Sequence, residues 1–114
     1  MTGSREPGDA RALATMHCRP NAPRLLDVEL RDRLPGIAGW TLLGDRIEKT
    51  FRFPNYVRTM AFVNAVASIA HREDHHPDLS VHYDRCVVAW STHDAGGVTL
   101  NDLICAARTD AIAA

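Results

Sequence analysis

Hydrophobic residues recur along this chain with a helical period in some stretches and a strand period in others. Leucines stand at every fourth position from Leu26 to Leu34, with charged residues between them, so they predict a short amphipathic helix that ends at a Pro-Gly pair. Residues 39–53 change to a period of two around a Gly-Asp pair, which predicts a hairpin with strands at residues 40–43 and 46–53.

The second half of the chain repeats this order with a longer helix. From residue 56 an apolar stripe is built on Met60, Val63, Ala67 and Ala70, and the helix should end near residues 74–76 because Pro77 disfavours helical geometry at the residue before it. A second hairpin follows, with strands over residues 79–83 and 86–93. Thr99 and Asp102 then imitate a capping box, which predicts the start of a last helix.

The predicted order is therefore α-β-β-α-β-β-α. Because two hairpins cannot form an all-parallel sheet, the sequence predicts an α+β fold, with one four-stranded antiparallel sheet and three helices packed on one face. The hairpin edges and the uncovered sheet face offer places for a second copy to dock, so we expect a homo-oligomer.

Residues 1–24 mix Gly, Pro, Ser and charged residues without a sustained period, which predicts a flexible N-terminal tail. Residues 25–114 are then one domain, of a size that can bury a hydrophobic core of its own. A formal net charge of −1 gives no electrostatic footprint for nucleic acid or acidic membranes, so neither is expected as a partner.

Three cysteines without C-x-x-C spacing indicate reduced thiols rather than a disulfide framework. No apolar run approaches the ~20 residues of a membrane span, and the first residues lack the apolar core of a signal peptide. The sequence therefore predicts a cytoplasmic protein.

Two adjacent histidines, His75 and His76, stand at the predicted end of the long helix, and His93 stands at the predicted end of the last strand. Adjacent helical side chains diverge by ~100°, so both rings can face one cleft only where the helix has ended, as Pro77 indicates. Imidazole exchanges protons near neutrality because its ordinary pKa is ~6.5. Three such rings around one pocket would suit acid–base chemistry.

Two other interpretations stay open at this point. A histidine beside a proline at a helix end often only interacts with the last carbonyls of the helix. His71 and His75 are one helical turn apart and could also bind a metal ion together with Asp74 or His93. We give the metal site less weight and expect neither a metal nor a cofactor.

The spacing of these residues resembles the signature of the pterin-4a-carbinolamine dehydratases, also called 4a-hydroxytetrahydrobiopterin dehydratases. The array runs H-x-x-x-H-H-P, five residues, Tyr, nine residues, His, eight residues and Asp, and is formed here by His71, His75, His76, Pro77, Tyr83, His93 and Asp102. A Gly-Trp pair, the F-R-F before the long helix, the S-T-H-D-A-G-G-V-T loop and the D-L-I-C-A-A segment also resemble the family. The resemblance extends from about Leu25 to the C-terminus.

The resemblance implies a reaction and a small-molecule pterin substrate. Family members remove water from the 4a-carbinolamine of a tetrahydropterin, which gives the quinonoid dihydropterin and recycles the pterin after an aromatic amino acid hydroxylase has used it. They form dimers or tetramers, so a homodimer or homotetramer is implied here.

The resemblance also assigns roles to residues. His75 and His93 would be the principal proton donors and acceptors, and His76, counted with them as catalytic, would mainly hold the pterin. Asp74, His71 and Tyr83 would contact the substrate, and the polar side chain of Asp102 would brace the site or cap the last helix.

Two positions depart from the pattern of many family members, which carry Glu at the position of His71 and Arg at that of Asn101. Loss of the arginine removes a possible salt bridge with Asp102, and reduced efficiency would follow more readily than lost activity. The alternative function is non-catalytic, as a dimerisation cofactor of transcription factors or as an assembly aid that uses the same fold. The three retained histidines favour the enzyme.

Overall fold

The computed structural model describes residues 10–114, so the first nine positions of the predicted tail lie outside the described residues. The helices are α1 (Ala10–Leu13), α2 (Asp27–Arg33), α3 (Tyr56–Glu73) and α4 (Leu100–Ala113), and the strands are β1 (Thr41–Leu43), β2 (Arg46–Arg52), β3 (Asp78–Val81) and β4 (Arg85–Trp90). Short 3-10 turns cover Leu34–Gly36 and His93–Ala95. The predicted α+β class and element order are confirmed, with α1 as an addition.

The two hairpins form one antiparallel sheet, as predicted, and its strand order is β1-β2-β4-β3. The pairing of β2 with β4 joins them and sets Ile47 opposite Trp90 and Phe51 opposite Cys86. Because directly opposed residues point to the same face of a sheet, these four buried side chains form the inner surface on which the helices pack.

Helix α4 lies at the centre of the core and is buried on every side from Leu103 to Ala107. The buried residues of α3 lie along one stripe, which includes Phe62, Val66 and Ile69. Phe62 also packs on Phe51 of the sheet, with ring centroids 4.7 Å apart. Among residues 10–114, none of the helices is long and apolar enough to cross a membrane.

The prediction of a flexible tail does not fit residues 10–24, which the structure packs against the rest of the fold. Leu13 is completely buried, and the carbonyl oxygen of Met16 accepts hydrogen bonds from the Arg108 guanidinium. Because α4 is buried on all sides, it needs cover beyond the sheet and α3, and this segment supplies part of it. Whether residues 25–114 fold without the segment stays a prediction.

Both strands of the second hairpin end earlier than the alternation predicted, although each begins one residue sooner. Strand β3 ends at Val81, so Tyr83 lies in the turn, where its ring stacks on Tyr56 with centroids 6.4 Å apart. Strand β4 ends at Trp90, so His93 begins a 3-10 turn instead of closing the strand. The pairing of β4 with β2 stops at Trp90, which lies opposite Ile47, and the strand ends there.

Candidate active site

The end of α3 turns the chain so that His75 faces the interior. Asp74 adopts the left-handed conformation, with φ of 51°, which Asp tolerates better than most residues because its short side chain can bond locally. The N–H of His75 then donates to the carbonyl of Ala70, at 3.1 Å, in the six-to-one bond of a Schellman motif. The helix therefore ends ahead of Pro77, as predicted.

His75 is held between an aromatic ring and a carboxylate. Its ring lies 5.6 Å from that of Trp90, centroid to centroid, with the two planes 14° from parallel. Its Nε2 lies 2.6 Å from Oδ1 of Asp102, a short distance that fits a charge-assisted hydrogen bond. The His75 side chain keeps 13% of its surface exposed, while that of Asp102 is fully buried.

Asp102 both caps α4 and orients His75. Its Oδ2 accepts hydrogen bonds from the N–H of Thr99 and from the hydroxyl of Thr92, each at 2.8 Å, and the bond from Thr99 completes the predicted capping box. An ionised carboxylate only accepts, so the proton in the bond to His75 belongs to Nε2. In the neutral ring Nδ1 then carries the lone pair, and no described residue hydrogen-bonds to it.

A cavity of about 590 Å³ opens beside His75. This volume lies within the roughly 300–1,000 Å³ of small-molecule sites. The lining combines an N-terminal stretch, the end of α3, the loop between β4 and α4, and the start of α4, namely residues 18–24, residues 73–75, Thr92, Asp94, Ala95 and Asn101. The cavity is large enough for a small organic ligand beside the imidazole.

Glu73 lines this cavity, and the pKa of its carboxyl group is shifted. Burial alone would raise the pKa of its carboxyl, but the N–H of Cys18, the bond from His17 and the charge of Arg108 hold that pKa below its ordinary value. Cys105 shows the opposite shift. The contact of its thiol with Cys18, with burial, raises the pKa of Cys105, so the thiol stays protonated.

The predicted site residues fall into two groups. His75 and Asp74 line the cavity and Asp102 supports His75, whereas His76, His93 and His71 are exposed and do not line it in the described part of the chain. In the sequence, His76 nevertheless follows the lining residue His75, and His93 precedes the lining residue Asp94. That the three imidazoles surround one hollow stays a prediction.

The structure does not bring Tyr83 to the site. It lies in the β3–β4 turn with 66% of its surface exposed, whereas His75 precedes the other end of β3. A four-residue strand spans roughly 13 Å, so the two side chains lie at opposite ends of the hairpin. Within residues 10–114, no group of three or more His, Cys, Asp or Glu side chains is arranged to hold a metal ion.

Several residues of the site were missed in the sequence. Thr92 and Trp90 fix the His75–Asp102 pair, and residues 18–24 supply a wall of the cavity. The position of Thr92 beside His93 was a usable signal for the first of these. No sequence signal indicated the wall, because its contacts join residues that are more than 50 positions apart.

Comparisons with known proteins point to one family. The family model described as Pterin 4 alpha carbinolamine dehydratase matches residues 23–112. A relative from Xanthomonas oryzae pv. oryzae is 56% identical over 102 residues, which cover 85% of this chain and 86% of the relative. A relative from Chromobacterium violaceum is 53% identical, with 88% and 94% covered. Both are provisionally named pterin-4-alpha-carbinolamine dehydratase.

A solved structure gives the same result at lower identity. The crystal structure described as a transcriptional coactivator/pterin dehydratase from Brucella melitensis matches with a TM-score of 0.77 and 31% identity, and the match covers 80% of this chain and 99% of that one. The resemblance found in the sequence is thereby confirmed, and the chain belongs to the pterin-4-alpha-carbinolamine dehydratase family.

Proposed function

We propose that this protein removes water from the 4a-carbinolamine of a tetrahydropterin, with His75 as a proton-transfer group. The observation that carries the proposal is the His75–Asp102 pair beside a cavity, because the buried carboxylate fixes the tautomer and the orientation of the imidazole. Family membership supports the dehydratase chemistry.

The proposed reaction breaks two bonds of the substrate. His75 takes the proton of pterin N5 on its Nδ1, and the electron pair of that N–H bond forms a double bond between N5 and C4a while the C4a–oxygen bond breaks. His93 donates a proton to the departing hydroxide, which leaves as water. Each proton transfer is typically worth ~10²–10⁴-fold in rate, and the negative charge of Asp102 stabilises the imidazolium that His75 becomes.

The remaining residues would bind the pterin. His76 follows His75 directly and would hold the ring system, and Asp74 at the cavity surface could accept hydrogen bonds from pterin N–H groups. His71 is proposed for the same role with less support. The position of Tyr83, at the far end of the hairpin, argues against its proposed contact with the substrate.

The biological setting proposed here is the return of a used tetrahydropterin to its reduced form, in the cytoplasm and in a homo-oligomer. The test is a stopped-flow measurement of dehydration of 4a-hydroxytetrahydrobiopterin by the native protein and by His75→Ala and His93→Ala. We expect the native protein to accelerate the reaction over buffer and each variant to lose most of that acceleration. A native protein no faster than buffer contradicts the proposal.

A second candidate function is binding to a transcription factor or to another enzyme. It is favoured by one observation, the description of the Brucella melitensis relative as a transcriptional coactivator as well as a pterin dehydratase. A protein that acts only in this way would be insensitive to His75→Ala and would give no turnover. The same stopped-flow experiment therefore separates the two candidates.

A further inference from the structure

Part of the N-terminal segment is attached by its backbone to two buried side chains at the candidate active site. The N–H of Cys18 donates to Oε1 of Glu73 at 2.8 Å. The side chain of Asn101 makes a reciprocal pair with Arg19, since its Oδ1 accepts from the Arg19 N–H at 3.0 Å and its Nδ2 donates to the Arg19 carbonyl at 2.8 Å. These bonds fix one end of the segment.

The other end of the segment is fixed by a bridge to the loop before α4. Arg24 pairs with Thr99 across an antiparallel bridge, and the N–H of Leu25 donates to the carbonyl of Val98 at 2.8 Å. A side chain at Gly97 would meet Nε of Arg24 at 2.7 Å, so glycine there allows the close approach. Between the two attachments, Pro20 and Pro23 restrict the backbone.

All seven residues from 18 to 24 line the same cavity as His75. The two buried anchors are the sequence neighbours of functional residues, because Glu73 precedes Asp74 and Asn101 precedes Asp102. A shift of either anchor would therefore move the wall relative to His75. The Asn101 amide thus binds the N-terminal segment directly.

We infer that residues 18–24 are a wall of the substrate cavity and that Asn101 is a positioning residue, which holds this wall at the distance that seats the pterin against His75. The inference rests on the proposed dehydratase function for its substrate. The attachment itself is independent of turnover and can be measured without it.

Native cysteines report the attachment. Cys18 lies in the segment, and its sulfur is 3.5 Å from that of Cys105, which is completely buried on α4. Cys86 is also completely buried, but it lies in β4. Labelling of Cys105 by a small thiol reagent therefore follows opening of the wall, and labelling of Cys86 follows opening of the sheet.

The experiment compares Asn101→Ala with Asn64→Ala, which removes the same amide from an exposed position of α3. Loss of the two hydrogen bonds to Arg19 should raise the rate of Cys105 labelling by roughly 30-fold, with Cys86 unchanged, and should raise KM for the carbinolamine more than it lowers kcat. Asn64→Ala should change neither. Equal labelling of Cys105 in the two variants overturns the inference.

Asn101→Asp separates the wall from the stability of the helix. A carboxylate near the start of α4 favours the helix dipole, and it still accepts from the Arg19 N–H, but it repels the Arg19 carbonyl. We expect an intermediate rise in Cys105 labelling and in KM, with the native helix content. Labelling or KM at the native value in this variant contradicts the role of the reciprocal pair.

Protection of the native chain covers the case in which Asn101→Ala exposes all three cysteines through general unfolding. Saturation with 7,8-dihydrobiopterin should slow the labelling of Cys18, since this residue lines the cavity. If a bound pterin does not change the rate of Cys18 labelling, residues 18–24 are not a wall of the substrate cavity. If the native protein binds no pterin and gives no turnover, the proposed function fails, and the labelling of Asn101→Ala against Asn64→Ala still decides the attachment.

Discussion

Replacement of Asp102 by asparagine should separate the two duties of this carboxylate. The amide oxygen of the variant can replace Oδ2 and accept from Thr99 and Thr92, so the cap of α4 is preserved. The amide N–H₂ then faces Nε2 of His75 and can only donate. His75 would have to move its proton to Nδ1, which is the atom proposed to receive the proton of the substrate.

The expected size of the effect follows from the lost bonds. Removal of one proton-transfer group should lower kcat by about 10²–10⁴-fold. Loss of the charged acceptor opposite His75 should cost about 1–3 kcal/mol of unfolding free energy. For a domain of this size that corresponds to a fall in Tm of roughly 4–12 °C, at about 4 °C per kcal/mol.

Asp110→Asn is the matched control because Asp110 lies on the same helix and its carboxylate also accepts side-chain hydrogen bonds, one from Lys49 at 2.8 Å and one from Trp40 at 3.0 Å. Stopped-flow dehydration and thermal unfolding should be measured for both variants. Asp110→Asn should lose about 1 kcal/mol of stability at most and keep the native kcat.

A folded Asp102→Asn that keeps the native kcat contradicts the proposed role of Asp102, and so does an equal loss of activity in Asp110→Asn. A further check is the combination with His75→Ala. The two residues act as one unit, so the double variant should be no slower than His75→Ala alone. An additive loss would mean that Asp102 acts on the reaction by another route.

Three further predictions concern stability and the proposed division of labour. The pKa of Glu73 is lowered in the fold, so its charge stabilises the protein above its ordinary pKa of 4.5, and this stabilisation is lost as the pH falls through the lowered value. The difference in Tm between the native protein and Glu73→Gln should therefore be largest above pH 4.5 and should disappear as the pH falls below the lowered pKa of Glu73. A difference in Tm that does not change with pH refutes the pairing of Glu73 with the N-terminal segment. The backbone of Asp74 is in the left-handed conformation, so Asp74→Gly should unfold near the native Tm, whereas Asp74→Val should lower the free energy of unfolding by at least about 1–2 kcal/mol. Equal Tm values for the two variants count against the helix-end geometry. In stopped-flow kinetics, His93→Ala should mainly lower kcat by about 10²-fold or more and His76→Ala should mainly raise KM, and the reverse pattern contradicts the assigned roles.

The sheet could be predicted because apolar and polar positions alternate along β2, with Lys49 as the one exception on the inner parity. Ile47 and Phe51 share one parity, with Glu48 and Thr50 on the other, and the structure buries the first pair and pairs it with β4. Such alternation fixes which face is buried, because a shift of one residue would place all the apolar side chains in water.

The rotation of α3 could not be predicted as well as its length. The expected stripe included Ala67, which is exposed, and omitted Ile69, which is buried. Alanine occurs on several faces of this helix and contrasts little with either environment. The apolar period therefore showed a helix without fixing the side that faces the core.

The site was only partly visible because its contacts are long-range. The spacing of Thr99 and Asp102 indicated a cap, but the bond from Asp102 to His75 joins positions 27 residues apart. The wall is held by backbone N–H and carbonyl groups of Cys18 and Arg19, and every residue type carries these groups. A segment attached in this way leaves no pattern of side chains to recognise.

The most direct test of the account is the protonation of the His75 imidazole, observed by long-range ¹H–¹⁵N NMR with His75→Ala as the assignment control. Above about pH 8, where an ordinary imidazole is neutral, we predict a proton on Nε2 and a free Nδ1, and 7,8-dihydrobiopterin should shift the Nδ1 resonance. A proton on Nδ1, or a ring whose nitrogens do not respond to the pterin, would contradict it.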